Sequence, residues 1–101
     1  MAEETNAPSR KVTTLADGTD LVAKRMEGAS GTAFPEHAAS LESVLVVTDG
    51  RCIIKFRDTE HGLAPGDSLV VPAGEWHQVV AAPQFAAVHV MPKDIRFTFV
   101  S

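Results

Sequence analysis

Short runs in which hydrophobic and polar residues alternate, separated by turn residues, extend along most of the chain. Residues 51–57 are the clearest example, because Cys52, Ile54 and Phe56 fall on one face and mostly basic side chains on the other. No window has the 3.6-residue period of an amphipathic helix. The pattern predicts an all-β protein with roughly eight to ten short antiparallel strands, spaced as in a sandwich or barrel.

Turn residues predict how these strands connect. Asp49-Gly50 lies between the β-branched run 44–48 and residues 51–57, which predicts a tight hairpin. Residues 66–81 contain a second pair of β-rich runs around a Pro/Gly turn and predict another hairpin. The other predicted elements are strands over 11–16, 20–27, 85–91 and 95–100, an edge or bend over 32–39, and turns at 58–62 and Pro83.

Several strands are apolar on both faces, most clearly 44–47 and 69–71. A small barrel can enclose only one face of each strand. The other face needs cover, and a sheet-to-sheet homodimer is the simplest cover. A dimeric scaffold that binds no ligand is therefore one functional hypothesis.

Composition and charge narrow the functional classes. The length of 101 residues indicates one domain, predicted over 11–101 after a flexible N-terminal tail over 1–10. A net charge of −4 argues against nucleic acid as a partner. No apolar run approaches the ~18 residues of a membrane helix, and the acidic N-terminus lacks signal-peptide features. A single cysteine, Cys52, is expected to be buried and favours a reducing cytoplasm.

One spaced motif resembles a known family. The pattern Gly-x5-Pro-x-Gly-x2-His resembles the second motif of the cupin superfamily, and it is formed by Gly66, Pro72, Gly74 and His77. Upstream, His37 followed by Gly50 is similar to a degraded first cupin motif. The resemblance implies a small single-domain cupin with a double-stranded β-helix, or jelly-roll, barrel.

The resemblance also bears on metal binding. In metal-binding cupins the first motif supplies two His and one Glu, and the second supplies one His. Here Ala39 and Ser43 stand at the second His and the Glu positions, which leaves His37 and His77. The resemblance therefore implies an atypical or vestigial site for one divalent transition metal such as Fe, Mn, Ni or Zn.

Three residues are candidates to complete that site. His89 would give a three-histidine site if its side chain points inward, and Glu42 or Glu36 would add a carboxylate. Each histidine also has a structural interpretation. His77 could hydrogen-bond a neighbouring strand, His37 could be solvated at the rim, and His89 could pack in the core or at an interface.

The predicted barrel interior is small and apolar. By period two, the inward residues would be Val79 and Ala81 with His77, facing Ala39, Ser43, Leu45 and Val47. Such a cavity suits a small, largely apolar or weakly polar ligand, with ligand-binding residues at His77, His37, Ser43 and Trp76. Trp76 would either roof the mouth or pack in a dimer interface.

The resemblance does not choose a reaction. The favoured interpretation is a small single-domain cupin of uncertain activity that binds a small, largely apolar or weakly polar molecule and has an atypical or vestigial metal site. A metal-dependent oxygenase or isomerase with a histidine-based site is the alternative. A multiply charged sugar phosphate is disfavoured because no arginine cluster lies on the inferred inner faces. With no tyrosine and one tryptophan, the composition also argues against an aromatic-lined site.

Overall fold

The computed structural model describes residues 10–100, and these form eight strands and no helix. No segment in this range is therefore a helix long and apolar enough to cross a membrane. The predicted tail over 1–10 lies outside the described residues except for Arg10, which begins the first strand. The strands are β1 Arg10–Asp17, β2 Leu21–Gly28, β3 His37–Ala39, β4 Ser43–Phe56, β5 Glu60–Leu63, β6 Ser68–Val71, β7 His77–Pro92 and β8 Phe97–Phe99.

All of these strands pair antiparallel in one curled sheet, organised around β4 and β7. Strand β7 lies beside β4 along most of its length, and its other edge pairs with β3 at one end and β2 at the other. Strand β4 pairs on its second edge with β6 and then β5. The all-β prediction is confirmed, and its strand count agrees with the eight strands observed.

Asp49-Gly50 does not form the predicted hairpin. Both residues lie inside β4, where the register against β7 shifts on either side of them. Gly50 has a φ of 67° and would, if it carried a Cβ, overlap the backbone of Gln84. An Asp-Gly pair suits a bulge as well as a turn, since both need positive φ. Local sequence does not distinguish the two, because the deciding contact comes from a distant strand.

The second predicted hairpin is also wrong. Strand β6 pairs with the first half of β4, whereas the start of β7 pairs with the second half of β4. The two β-rich runs are thus joined by a turn, but β4 supplies their hydrogen-bond partners. Pro83, predicted as a turn, lies within β7, and the predicted turn over 58–62 overlaps β5.

Strand β7 must curve strongly to fit the molecule. A straight strand from His77 to His89 would span about 40 Å at the usual rise per residue. The longest extent of the described molecule is 33 Å. The register between β4 and β7 shifts on both sides of Asp49-Gly50, opposite the middle of β7, and the cis Ala82–Pro83 peptide lies in this region. The curvature lets both ends of β7 line the same interior.

The predicted inward faces are confirmed by burial. The side chains predicted to line the barrel are at most 7% exposed: Ala39, Ser43, Leu45, Val47, His77, Val79 and Ala81. Cys52 and Ile54 have 0% exposure, as the alternation in residues 51–57 predicts. Period-two alternation is a local property of a strand. It therefore predicts the inward-facing residues correctly even where the predicted strand connections are wrong.

Candidate functional site

A cavity of about 320 Å³ opens from the interior of the curled sheet. Its volume is at the lower end of the range of about 300–1,000 Å³ typical of small-molecule sites. Apolar side chains form most of the wall, together with three histidines and two basic residues. The lining consists of Arg10, Val12, Lys24, Met26, Phe34, Pro35, His37, Leu45, Ile54, Val71, His77, Val79, His89, Met91, Phe97 and Phe99.

Two of the predicted histidines meet at the junction of β3 and β7. His37 and His77 are direct cross-strand partners, and their ring centroids lie 4.4 Å apart with an interplanar angle of 62°. His77 is only 4% exposed, whereas His37 is half-buried. Cross-strand partners share one face of a sheet, which explains why both rings line the cavity.

Backbone carbonyls fix the tautomer of both rings. The Nδ1 atom of His37 lies 2.9 Å from the carbonyl oxygen of Pro35, and that of His77 lies 2.9 Å from the carbonyl oxygen of Glu75. A carbonyl oxygen only accepts, so each Nδ1–H donates. In the neutral ring each Nε2 is therefore unprotonated and can accept a hydrogen bond or bind a metal. His77 is held by the turn that precedes it, rather than by a neighbouring strand.

His89 joins the cavity from the other end of β7. It lies between its cross-strand partners Leu45 and Lys24, and its Nε2 is 2.7 Å from the Ser43 hydroxyl. Ser43 is buried, so this bond satisfies a polar pair inside the barrel. His89 therefore lines the cavity, and Ser43 orients the His89 ring through this hydrogen bond.

Burial keeps the inner histidines neutral. Loss of solvation, with smaller contributions from His37, His77 and Lys24, lowers the pKa of His89 to about 4. Burial also lowers the pKa of His77, although the hydrogen bond to the Glu75 carbonyl acts in the opposite direction. At neutral pH both rings are therefore uncharged polar groups in an apolar cavity.

Phenylalanines form one wall, contrary to the expectation from composition. Phe97 and Phe99 on β8 have ring centroids 5.4 and 5.5 Å from that of His37. Phe34 lines the cavity and packs edge-on against Phe85 at 6.0 Å. The expectation failed because it counted tyrosine and tryptophan, whereas three of the five phenylalanines converge here.

Three other predicted site residues do not reach the cavity. Trp76 lies just before β7 and outside the cavity lining, and its ring is 5.1 Å from the Arg57 guanidinium. Glu36 bonds to the same guanidinium at 3.4 Å. Glu42 is exposed beside the buried Ser43, as alternation requires.

The side chains present do not fit a metal centre with three protein ligands. Among residues 10–100, no group of three or more His, Cys, Asp or Glu side chains has an arrangement suited to a metal ion. His37 and His77 each offer an Nε2, but the Nε2 of His89 is bonded to Ser43. Two imidazoles alone make an incomplete ligand set.

Sequence reasoning missed the two cations of the lining, Arg10 and Lys24. A signal for Lys24 was present, because it shares the alternation of β2 with Met26, which is buried. The sequence predicts Arg10 to end the flexible tail, but in the structure it begins β1 and lines the cavity with Val12. A basic residue that alternates in step with buried or partly buried apolar residues of its strand is the pattern that predicts a cation in the cavity wall, and both Lys24 and Arg10 have it.

Comparison with known proteins identifies the architecture. The family model described as the cupin domain matches residues 24–91, and no curated protein matches. A crystal structure of a cupin superfamily protein from Desulfitobacterium hafniense is 22% identical, with a TM-score of 0.78 over 91% of this chain and 84% of that one. The likeness at this identity shows a shared jelly-roll fold, which confirms the predicted fold class.

Two enzymes share the fold. A salicylate 1,2-dioxygenase from Pseudoaminobacter salicylatoxidans, solved with gentisate, has a TM-score of 0.82 and 18% identity, over 97% of this chain but only 31% of that one. A polyketide cyclase from Streptomyces resistomycificus has a TM-score of 0.78 and 21% identity, over 92% of this chain and 73% of that one.

Proposed function

The chain belongs to the cupin domain family, and from that premise we propose that its barrel binds a small, largely apolar or weakly polar molecule without needing a metal. The observation that carries the proposal is the composition of the cavity wall. Aliphatic and aromatic side chains surround a space of about 320 Å³, into which few polar atoms project. Such a wall stabilises an apolar body, and the few polar groups orient it.

The histidine tautomers define what the ligand presents to this end of the cavity. Each Nδ1 of His37 and His77 donates to a carbonyl, so each Nε2 is an acceptor. A ligand hydroxyl or N–H group is the matching donor. We therefore propose that His37 and His77 bind one donor group of the ligand, while Leu45, Ile54 and Val79 contact its apolar part.

Replacing His77 with phenylalanine tests this role, because the ring stays and the acceptor nitrogen is lost. We expect the affinity for 1-naphthol to fall about three- to tenfold, the size of one neutral hydrogen bond. Affinity for 1-methylnaphthalene, which has no hydroxyl, should change less than twofold. Isothermal titration calorimetry measures both, and the exposed His61 provides a matched control as His61→Phe. Wild-type protein that binds neither compound would contradict the proposal.

A metal-dependent oxygenase or isomerase is the second candidate function. The observation that favours it is the pair of adjacent imidazoles with carbonyl-fixed Nδ1–H groups, a common support for metal-binding histidines. Elemental analysis of protein purified without a His-tag tests it. Less than about a tenth of an equivalent of metal, with no rise in melting temperature on adding Zn²⁺ or Ni²⁺, would exclude a bound metal.

A row of apolar side chains on the outer face supports the proposed homodimer. Val70, Val44, Val90 and Ala23 are successive cross-strand partners across β6, β4, β7 and β2. Val70 is 52% exposed and Val44 36% exposed. Burying such a row against its copy removes apolar surface from water.

Light scattering with size-exclusion chromatography tests the homodimer. We expect a mass of twice the 10.8 kDa chain. Val70→Lys should shift the protein to monomer, whereas Leu15→Lys, at an equally exposed leucine on β1, should leave the dimer intact. A wild-type monomer at high protein concentration would contradict the homodimer and also the scaffold hypothesis.

The state of Cys52 agrees with a proposed cytoplasmic location. Its side chain has 0% exposure, and burial raises its pKa to about 11, against the smaller opposing effect of Arg51. The thiol is thus protonated and packed as a small hydrophobic group. The described residues contain no disulfide that an oxidising compartment would have to maintain.

A further inference from the structure

We propose that the ligand is an apolar monocarboxylate, and that Lys24 binds its carboxylate at the His89 end of the cavity. The inference rests on the proposed function, because it assigns the chemical class of the molecule that the barrel binds. It goes further by naming a charged recognition residue outside the histidine pair and by fixing the orientation of the ligand.

Lys24 is part of the cavity wall. It lies on β2 directly opposite His89, and cross-strand partners share a face, so both side chains belong to the cavity wall. Lys24 is half-buried. Within residues 10–100 the ion pairs are Arg25–Glu27, Arg57–Glu36 and Lys93–Asp17, and none of them includes Lys24.

The charged side chains of the cavity wall favour an anionic ligand. Among residues 10–100, the lining contains two cations, Lys24 and Arg10, and no aspartate or glutamate. Lys24 is a half-buried residue on a largely apolar wall, and a cation in a partly enclosed site gains more from an anion than one in open water, because water screens it less. A ligand carboxylate would supply the missing counter-charge.

Polar groups at the His89 end of the cavity orient the ligand. Lys24 lies opposite His89 across the β2–β7 pair, whereas Glu36, beside His37, is paired with Arg57. A carboxylate is therefore favoured beside Lys24. The Ser43 hydroxyl, bonded to His89, lies at the same end and adds a polar neighbour.

The rest of the wall limits the ligand to one charge near Lys24. Arg10 is on the same inner face, but on the far side of Met26 from Lys24, and its guanidinium lies 6.0 Å from the centroid of the Phe34 ring. Leu45 is the other cross-strand partner of His89. A multiply charged phosphate would need several close donors, which this end does not offer.

Calorimetric titration with 1-naphthoate and 1-naphthamide tests the inference, because the two probes differ little except in charge. We expect wild-type protein to bind the acid at least about tenfold more tightly than the amide, or about 1.4 kcal/mol. Lys24→Gln and Lys24→Met should each abolish that preference while changing amide affinity less than twofold. Lys55→Gln, at an exposed position of β4, is the control and should retain the preference.

The outcomes separate this inference from the proposed function. Retained amide binding shows that a Lys24 variant still has a folded cavity, so loss of the acid preference in both variants supports the assignment. Equal affinity of wild-type protein for acid and amide would overturn the carboxylate while leaving the binding function in place. An acid preference that survives in both Lys24 variants would overturn the role of Lys24. Binding of neither probe would overturn both proposals.

Discussion

Replacing Gly50 with alanine is expected to lower the free energy of unfolding by about 2–5 kcal/mol. Two costs combine: about 1–2 kcal/mol for a side chain at positive φ, and about 1–3 kcal/mol for overpacking. Gly50 has a φ of 67°, and its added Cβ would overlap the carbonyl group of Gln84, which is backbone and has little room to move. Urea unfolding followed by circular dichroism measures the change.

Gly66 provides the matched control for that substitution. Its φ of 92° is also positive, but a Cβ there would have no neighbour within 4 Å in the described part of the chain. Gly66→Ala should therefore cost only the conformational part, about 1–2 kcal/mol. Equal losses at the two positions would show that β7 gives way at Gly50 and that the overlap with Gln84 adds no cost.

Acidification is expected to remove about 3 kcal/mol of stability through His89 alone. The ordinary pKa of 6.5 is lowered to about 4 in the folded protein, so between these values the unfolded chain binds a proton that the folded chain does not. Stability is therefore fully present above pH 6.5 and falls as the pH drops towards 4. The lowered pKa of His77 adds loss in the same direction.

Comparison with a variant isolates the histidine contribution from that of the carboxylates. His89→Gln keeps a polar side chain near Ser43 but does not titrate, so its stability should fall less steeply between pH 6.5 and 4. His61→Gln, which changes an exposed histidine, should follow the wild-type curve. Urea midpoints measured across this window provide the comparison. Parallel curves for wild type and His89→Gln would contradict the assigned pKa.

Local patterns predicted which residues point inward, because alternation depends only on the pleat of each strand. They failed at Asp49-Gly50, where the choice between a hairpin and a bulge depends on Gln84, far along the chain. They also failed for β6 and β7, since both pair with β4 rather than with each other. Strand pairing depends on residues far apart in the sequence, so a two-residue turn signal does not predict it.

The sequence predicted only part of the candidate site, because alternation within a strand is local and strand pairing is not. His37, His77, His89 and Ser43 all reach the interior, and the family resemblance together with alternation pointed to them. Lys24 was missed because a lysine on a strand is normally solvated, and its inward direction follows from pairing with β7. The role of Ser43 as the partner of His89 required the register between β4 and β7.

The continuity of β7 sets a rule for which changes of length the protein can tolerate. His77 and His89 are carried by one unbroken strand, and the bulges opposite its middle set how the two ends face each other. Inserting one residue between the two histidines would reverse the side-chain directions in one half of β7 and point its histidine away from the cavity. Inserting two residues would return both histidines to the cavity face. Relatives that keep both histidines should therefore differ in length here by even numbers, and odd differences should coincide with a changed bulge.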